Sequence, residues 1–307
     1  MVNAARALHW ESLDVSGRIN LADSHSVCAE IITILQRKYP QETKLAEFLQ
    51  SVFTDFSCLY TGQLTGYYSC DTIYHDARHI MDVTLAMARL IDGYERTPDT
   101  LKLGWYKAKL GIVLALFHDA GYIRRTRDTK HKQGAEYTSV HVSRSAKFLA
   151  EYLPQIGMST SVAMAQELVH YTGYEIDFGV DHPLYHTLGC LLGTADLIAQ
   201  MSDRCYLEKC RDALFVEFKI GGVAKHRGIT GEPSELYTSP EDLLNHTPGF
   251  MSATIQQRLN GSFQGVYRYA ATYFAGTNLY MDGVAKNYDY ICQQISKDGC
   301  FILRRRH

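Results

Sequence analysis

The apolar run Gly111-Ile112-Val113-Leu114-Ala115-Leu116-Phe117 leads straight into His118-Asp119. A stretch with so many consecutive apolar side chains is stable only when buried, and it carries an imidazole and a carboxylate inward with it. A buried carboxylate needs a cation or a metal beside it. His and Asp are both ordinary ligands for divalent first-row metals. The fold must therefore bring further donors to this point.

Two other segments can supply them. Upstream lies Tyr74-His75-Asp76-Ala77-Arg78-His79-Ile80-Met81-Asp82. Downstream, Gly193-Thr194-Ala195-Asp196-Leu197 closes a second apolar run containing Leu188, Cys190, Leu191 and Leu192. On a single helix His75, His79 and Asp82 fall at i, i+4 and i+7 and share one face. His79, His118, Asp119 and Asp196 then give four ligands from three helices, the way helical proteins build metal centres in their cores.

Helical periodicity dominates the rest, with no sustained period-two alternation. It predicts helices over Ser24–Lys38, Lys44–Phe56, Asp76–Ile91, Gly104–Phe117, Gln133–Tyr152, Ser159–His170, Leu184–Met201, Asp203–Phe218, Pro240–Leu259, Phe263–Ala275 and Gly283–Ser296. The expected fold is all-α, a compact multi-helix domain with the metal site in its core. Residues 1–60 form an N-terminal helical extension of that domain, 61–300 its catalytic part and 301–307 a basic tail. Two loops stand out. Ala120–Lys132 carries Arg124, Arg125 and Arg127 directly after the His-Asp pair, suited to attracting phosphate. Lys219–Thr238 holds Gly221, Gly222, Gly228 and Gly231, the composition of a lid.

Composition narrows the partners. A net charge of −2 gives no global basic field and argues against nucleic acid. No apolar stretch is long enough to span a bilayer, and no signal peptide is evident, so a cytoplasmic protein with no membrane partner is expected. None of the eight cysteines forms a C-x-x-C pair, which makes reduced thiols in a core the simplest reading.

The ordered set His79, His118-Asp119, Asp196 resembles the HD-domain superfamily of metal-dependent phosphohydrolases. It is most similar to the catalytic domain of class I cyclic-nucleotide phosphodiesterases, which share a Tyr-His-x-x-x-His segment (here Tyr74-His75 and His79), a His-Asp pair after an apolar helix, and an Ala-Asp-Leu segment (here Ala195-Asp196-Leu197). The likeness covers about Thr72 to Lys219. It implies a tight site for zinc or another transition metal on His79, His118, Asp119 and Asp196. Asp119 would bridge to a second ion, magnesium or manganese. A hydroxide shared by the two ions would attack phosphorus, with Asp196 orienting it and His75 acting as general acid. Gln264 and Tyr267, in Gln264-Gly265-Val266-Tyr267, echo the residues that hold a purine in that family, one helical turn apart. Two departures bear on cyclic nucleotides: Asp76 stands where Asn is usual, and Ala120-Gly121-Tyr122 where a second His and Pro-Gly are usual.

The resemblance thus implies a phosphodiesterase acting on a small phosphoester, a nucleotide phosphodiester such as a cyclic nucleotide. Two alternatives stand beside it: an HD-type nucleotidase or phosphomonoesterase, and a non-catalytic nucleotide-sensing module. His75 has a rival role orienting a ligand through a hydrogen bond. His170, Asp82 and Glu136 are candidates for the second metal or for hydrogen bonds to the ligands. Glu136 and His141 read better as a solvated helix face, and Arg124 as a substrate-steering cation.

Overall fold

The computed structural model describes residues 10–173, 179–222, 225–227, 233–235, 237–295 and 303. Twelve α-helices make up the framework of the described chain: α1 Ser24–Lys38, α2 Leu45–Tyr60, α3 Ala77–Arg96, α4 Gly104–Phe117, α5 His141–Tyr152, α6 Val162–Leu168, α7 Pro183–Ser202, α8 Tyr206–Lys209, α9 Phe215–Ile220, α10 Pro240–Ala253, α11 Tyr269–Tyr273 and α12 Leu279–Ile295. Among the described residues, strand structure is limited to one antiparallel pair, Lys225–Arg227 with Pro233–Glu235. No helix among the described residues is long and apolar enough to cross a membrane. Residues 223–224, 228–232 and 236 of the glycine-rich loop, and all of the basic tail except Leu303, lie outside the described residues.

Helix α3 is the axis of the fold. Every residue from His79 to Glu95 is buried, because α3 packs against α1, α4, α7 and α11 on different sides. A helix enclosed in that way must carry its polar groups inward. Arg89 is 1% exposed, and its Nη2 lies 2.6 Å from Asp14 Oδ2 while Nη1 donates to the Tyr280 hydroxyl at 2.9 Å. Asp14 precedes α1, and Tyr280 is on α12. The N-terminal extension is thereby part of the core. Gly93 allows the close crossing of α11: a Cβ there would fall 1.9 Å from the Tyr269 carbonyl oxygen.

The apolar runs behave as their composition requires. α4 is buried from Leu110 to Phe117 and α7 nearly throughout Leu188–Ser202. α4 therefore delivers His118 and Asp119 at its end, and α7 delivers Asp196 from its buried middle, to the same interior point beside the start of α3.

Three predicted helices are broken. The stretch 133–152 divides into a 3₁₀ turn, Gly134–Tyr137, and α5, with Gln133 and Glu136 closing a reciprocal cap at the start of the turn. The stretch 159–170 is α-helical only over Val162–Leu168. After α10 the chain widens into a π-helix, Thr254–Ser262, and then takes two consecutive left-handed residues, Gln264 (φ 54°) and Gly265 (φ 68°). That reversal ends any continuous helix over 263–275.

Candidate metal centre

His79 reaches the site from the first turn of α3. Asp76 caps that helix by accepting from the His79 backbone N–H at 2.9 Å, which gives the aspartate at this position a local structural role. His75 is not on the helix. It precedes the cap, so the shared helical face expected for His75, His79 and Asp82 does not form. His118 ends α4, where its Nδ1–H donates to the Ala115 carbonyl at 2.8 Å and turns Nε2 toward the carboxylates. Asp196 comes from the buried middle of α7.

The four side chains converge. His79 Nε2 lies 3.7 Å from Asp119 Oδ2 and 3.4 Å from Asp196 Oδ1. His118 Nε2 lies 3.3 Å from Asp119 Oδ2 and 3.8 Å from Asp196 Oδ1. A tetrahedral ion ~2.1 Å from each donor needs its donors ~3.4 Å apart. One donor atom each from His79, His118 and Asp196 falls within 4.8 Å of the others. His118 Nε2 and Asp119 Oδ2 are buried and complete no well-formed hydrogen bond. A lone pair facing a carboxylate oxygen calls for a proton or a cation between them. Burial opposes charge on His118, but Asp119 and Asp196 push its pKa up to about 9. Burial likewise opposes ionisation of Asp119, yet His118, His75 and His141 hold it well below the usual carboxylate range. The donor set fits a divalent metal, whose binding would displace the His118 proton.

Two residues complete the site that the sequence did not mark. Glu217, on α9 and 1% exposed, places Oε2 2.6 Å from His75 Nδ1 and accepts from the Tyr74 backbone N–H at 2.6 Å through Oε1. Burial disfavours a charged His75, but the Glu217 carboxylate outweighs it and raises the imidazole's pKa. His141 is the other. The break after Tyr137 puts it at the start of α5, where it lines the cavity instead of a solvated face, with Nε2 3.7 Å from Asp119 Oδ1. Its Nδ1–H donates to the Thr138 carbonyl at 2.6 Å, leaving Nε2 as an acceptor, and burial lowers its pKa. Gly121 lets this happen, since a Cβ there would meet the His141 carbonyl oxygen at 1.9 Å. Tyr122 packs against both the His75 and His141 rings, 4.5 Å from each, and those two rings lie 6.2 Å apart.

The remaining predicted residues lie elsewhere. Gln264 is exposed in its left-handed turn, and the Tyr267 hydroxyl donates to Asn260 Oδ1 at 2.9 Å; neither lines the cavity, so no purine clamp forms there. Glu136 accepts from the backbone N–H groups of Lys132 and Gln133. His170 is half-buried and does not line the cavity, although Tyr171, Thr172 and Gly173 do. Arg124 pairs with Asp71 at 3.2 Å and covers the Tyr68 ring. Arg125 and Arg127 border a separate, larger cleft of about 1000 Å³ between α2, α4 and α5, which contains none of the metal donors. The basic loop points away from the centre.

Asp82 is buried on α3 beside a small void that it shares with His79, Asp203 and Lys209, and its Oδ1 has no hydrogen-bond partner. Burial, reinforced by Asp203 and Asp14, pushes its pKa up to about 7. An unfolded Asp titrates at about 3.9, so folding favours the protonated form. That contribution is complete below pH ~4 and is lost as pH rises through ~7. Asp82→Asn should therefore stabilise chelator-treated protein at pH 8 by about 2 kcal/mol and have little effect at pH 4. Urea denaturation at the two pH values checks this; a variant less stable than its parent at pH 8 would mean that the charged carboxylate has a stabilising partner.

Residues 128–270 match a family described as Npun_R2479-like, a stretch that includes His141, Asp196 and Glu217 but not His79, His118 or Asp119. No curated protein sequence and no solved structure matches the chain.

Proposed function

We propose that this chain is a metal-dependent phosphohydrolase of the HD-domain type, acting on phosphodiesters in preference to monoesters. The observation that carries this reading is an imidazole held against a buried carboxylate, His75 on Glu217, at the edge of a donor set spaced for a divalent ion. Divalent ions held by His79, His118, Asp119 and Asp196, with His141 available to a second one, would supply an activated water and neutralise charge on the phosphoryl oxygens.

The remaining steps belong to side chains. Glu217 takes the Nδ1–H of His75 and fixes the ring, so Nε2 is the nitrogen left to protonate a leaving alkoxide. Asp196 turns Oδ1 to the imidazoles, and its other oxygen can accept from the attacking water. Tyr122 packs against both the His75 and His141 rings, which restricts the acid's movement relative to the metal donors. An alkyl diester has a poor leaving group and benefits most from such an acid. A sensor that only bound a nucleotide would not need the His75–Glu217 pair.

The test is side-by-side hydrolysis of an alkyl phosphodiester and the matching monoester by protein loaded with manganese. Faster turnover of the diester is expected. Preference for the monoester favours a nucleotidase, and binding without turnover of either favours the sensing module.

A further inference from the structure

We infer that the site takes a substrate with a single phosphoryl group on a bulky apolar or aromatic body, and discriminates against polyphosphates. This rests on the phosphohydrolase reading above and specifies its substrate. The cavity in front of the metal donors has a volume of about 330 Å³, at the lower end of the usual range for small-molecule sites.

Its charge is concentrated at one end. Among the described residues lining it, Arg258 is the sole Lys or Arg, and its guanidinium donates to the backbone carbonyls of Gly173 at 2.5 Å and Tyr171 at 3.0 Å. The basic loop that could have neutralised further phosphates faces Asp71, Glu151 and the larger cleft. Among the described residues, no second Lys or Arg lines the cavity to receive an additional phosphate, which would be desolvated there. One phosphoryl group can be matched at the metal donors and His75; the described lining holds no further Lys or Arg for a second or third.

Part of the lining is apolar: Leu214, Phe218, Tyr237, Leu243 and Phe250 belong to it, and the rings of Phe218 and Tyr237 lie nearly parallel, 15° apart at a centroid distance of 6.2 Å. Such a lining favours apolar area and offers a planar group an aromatic face. Two π-helical turns, Cys210–Leu214 and Thr254–Ser262, contribute Cys210, Leu214, Thr254 and Arg258 to the same lining. π-turns of this kind occur often at ligand sites because the extra residue widens the helix surface.

Calorimetric binding of three hydrolysis-resistant probes to the full chain at saturating magnesium tests this: phenylphosphonate, methylphosphonate and imidodiphosphate. Phenylphosphonate should bind about tenfold or more tighter than methylphosphonate, with imidodiphosphate weaker than phenylphosphonate. Phe218→Ala and Tyr237→Ala should reduce the phenyl preference to about twofold without changing metal content or methylphosphonate affinity. Phe250→Asp, at a position 43% exposed and so tolerant of a charge, should weaken phenylphosphonate alone. Equal binding of the two phosphonates, or tightest binding of imidodiphosphate, overturns the substrate inference and leaves the phosphohydrolase reading standing. Failure of all three to bind protein with its full metal complement also overturns the substrate inference, and the diester-versus-monoester hydrolysis above then decides the phosphohydrolase reading on its own.

Discussion

Asp119→Ala protein should fold normally and be purified with little of its metal. Asp119 meets His79 and His118 through Oδ2 and His141 through Oδ1, so its removal takes a donor from every imidazole in the centre. Loss of a hydrogen-bond partner behind a metal ligand lowers affinity about 10–100-fold, so loss of this ligand should exceed ~100-fold. Elemental analysis and titration against a competing chelator measure the effect, with circular dichroism as the check on folding. The affinity of the parent protein should rise with pH up to about 9, because the metal must displace the proton on His118. Parental metal content in a folded Asp119→Ala protein would remove the centre from these residues.

His75→Ala should lower kcat about 100-fold or more on an alkyl phosphodiester and only a few-fold on a nitrophenyl ester, whose leaving group needs no proton. Metal content should not change. Glu217→Gln separates positioning from chemistry. It removes the charge that raises the His75 pKa, so the imidazolium loses its proton at a lower pH. Activity that requires the protonated form persists below that pKa and falls as pH rises through it, and the alkaline limb of kcat/KM should move to lower pH. Equal losses on both substrates, with an unmoved alkaline limb, would give His75 and Glu217 a purely structural role.

The convergence of His118, Asp119 and Asp196 was legible in the sequence because each ends an apolar run. A polar group inside a buried segment advertises itself, as His118, Asp119 and Asp196 do. The helical framework was legible for the same reason, since α3, α4 and α7 owe their position to burial. Glu217 was not legible, for it stands 142 residues from His75 in an ordinary-looking helix, and only tertiary packing reveals that it is enclosed. His141 was hidden by a helix break that hydrophobic periodicity does not register. Arg124 and Arg125 were misplaced because adjacency to Asp119 in sequence says nothing about which side of a turn a long side chain takes. Gln264 was misread because the spacing of Gln264 and Tyr267 suits a helix, whereas the backbone turns left-handed at Gln264.

The Asp14–Arg89–Tyr280 bridge has a consequence for how the molecule comes apart. Arg89 sits ten residues beyond His79 on α3, and its two partners come from opposite ends of the described chain. Detachment of the Asp14 segment would strand the Arg89 guanidinium in the interior, and detachment of the Tyr280 segment would strip that guanidinium of its hydroxyl acceptor; the first is far less favourable than ordinary fraying. The first and last segments should therefore exchange their amide hydrogens with the protection of the central helix, and the metal centre should be lost in the same cooperative transition as the termini.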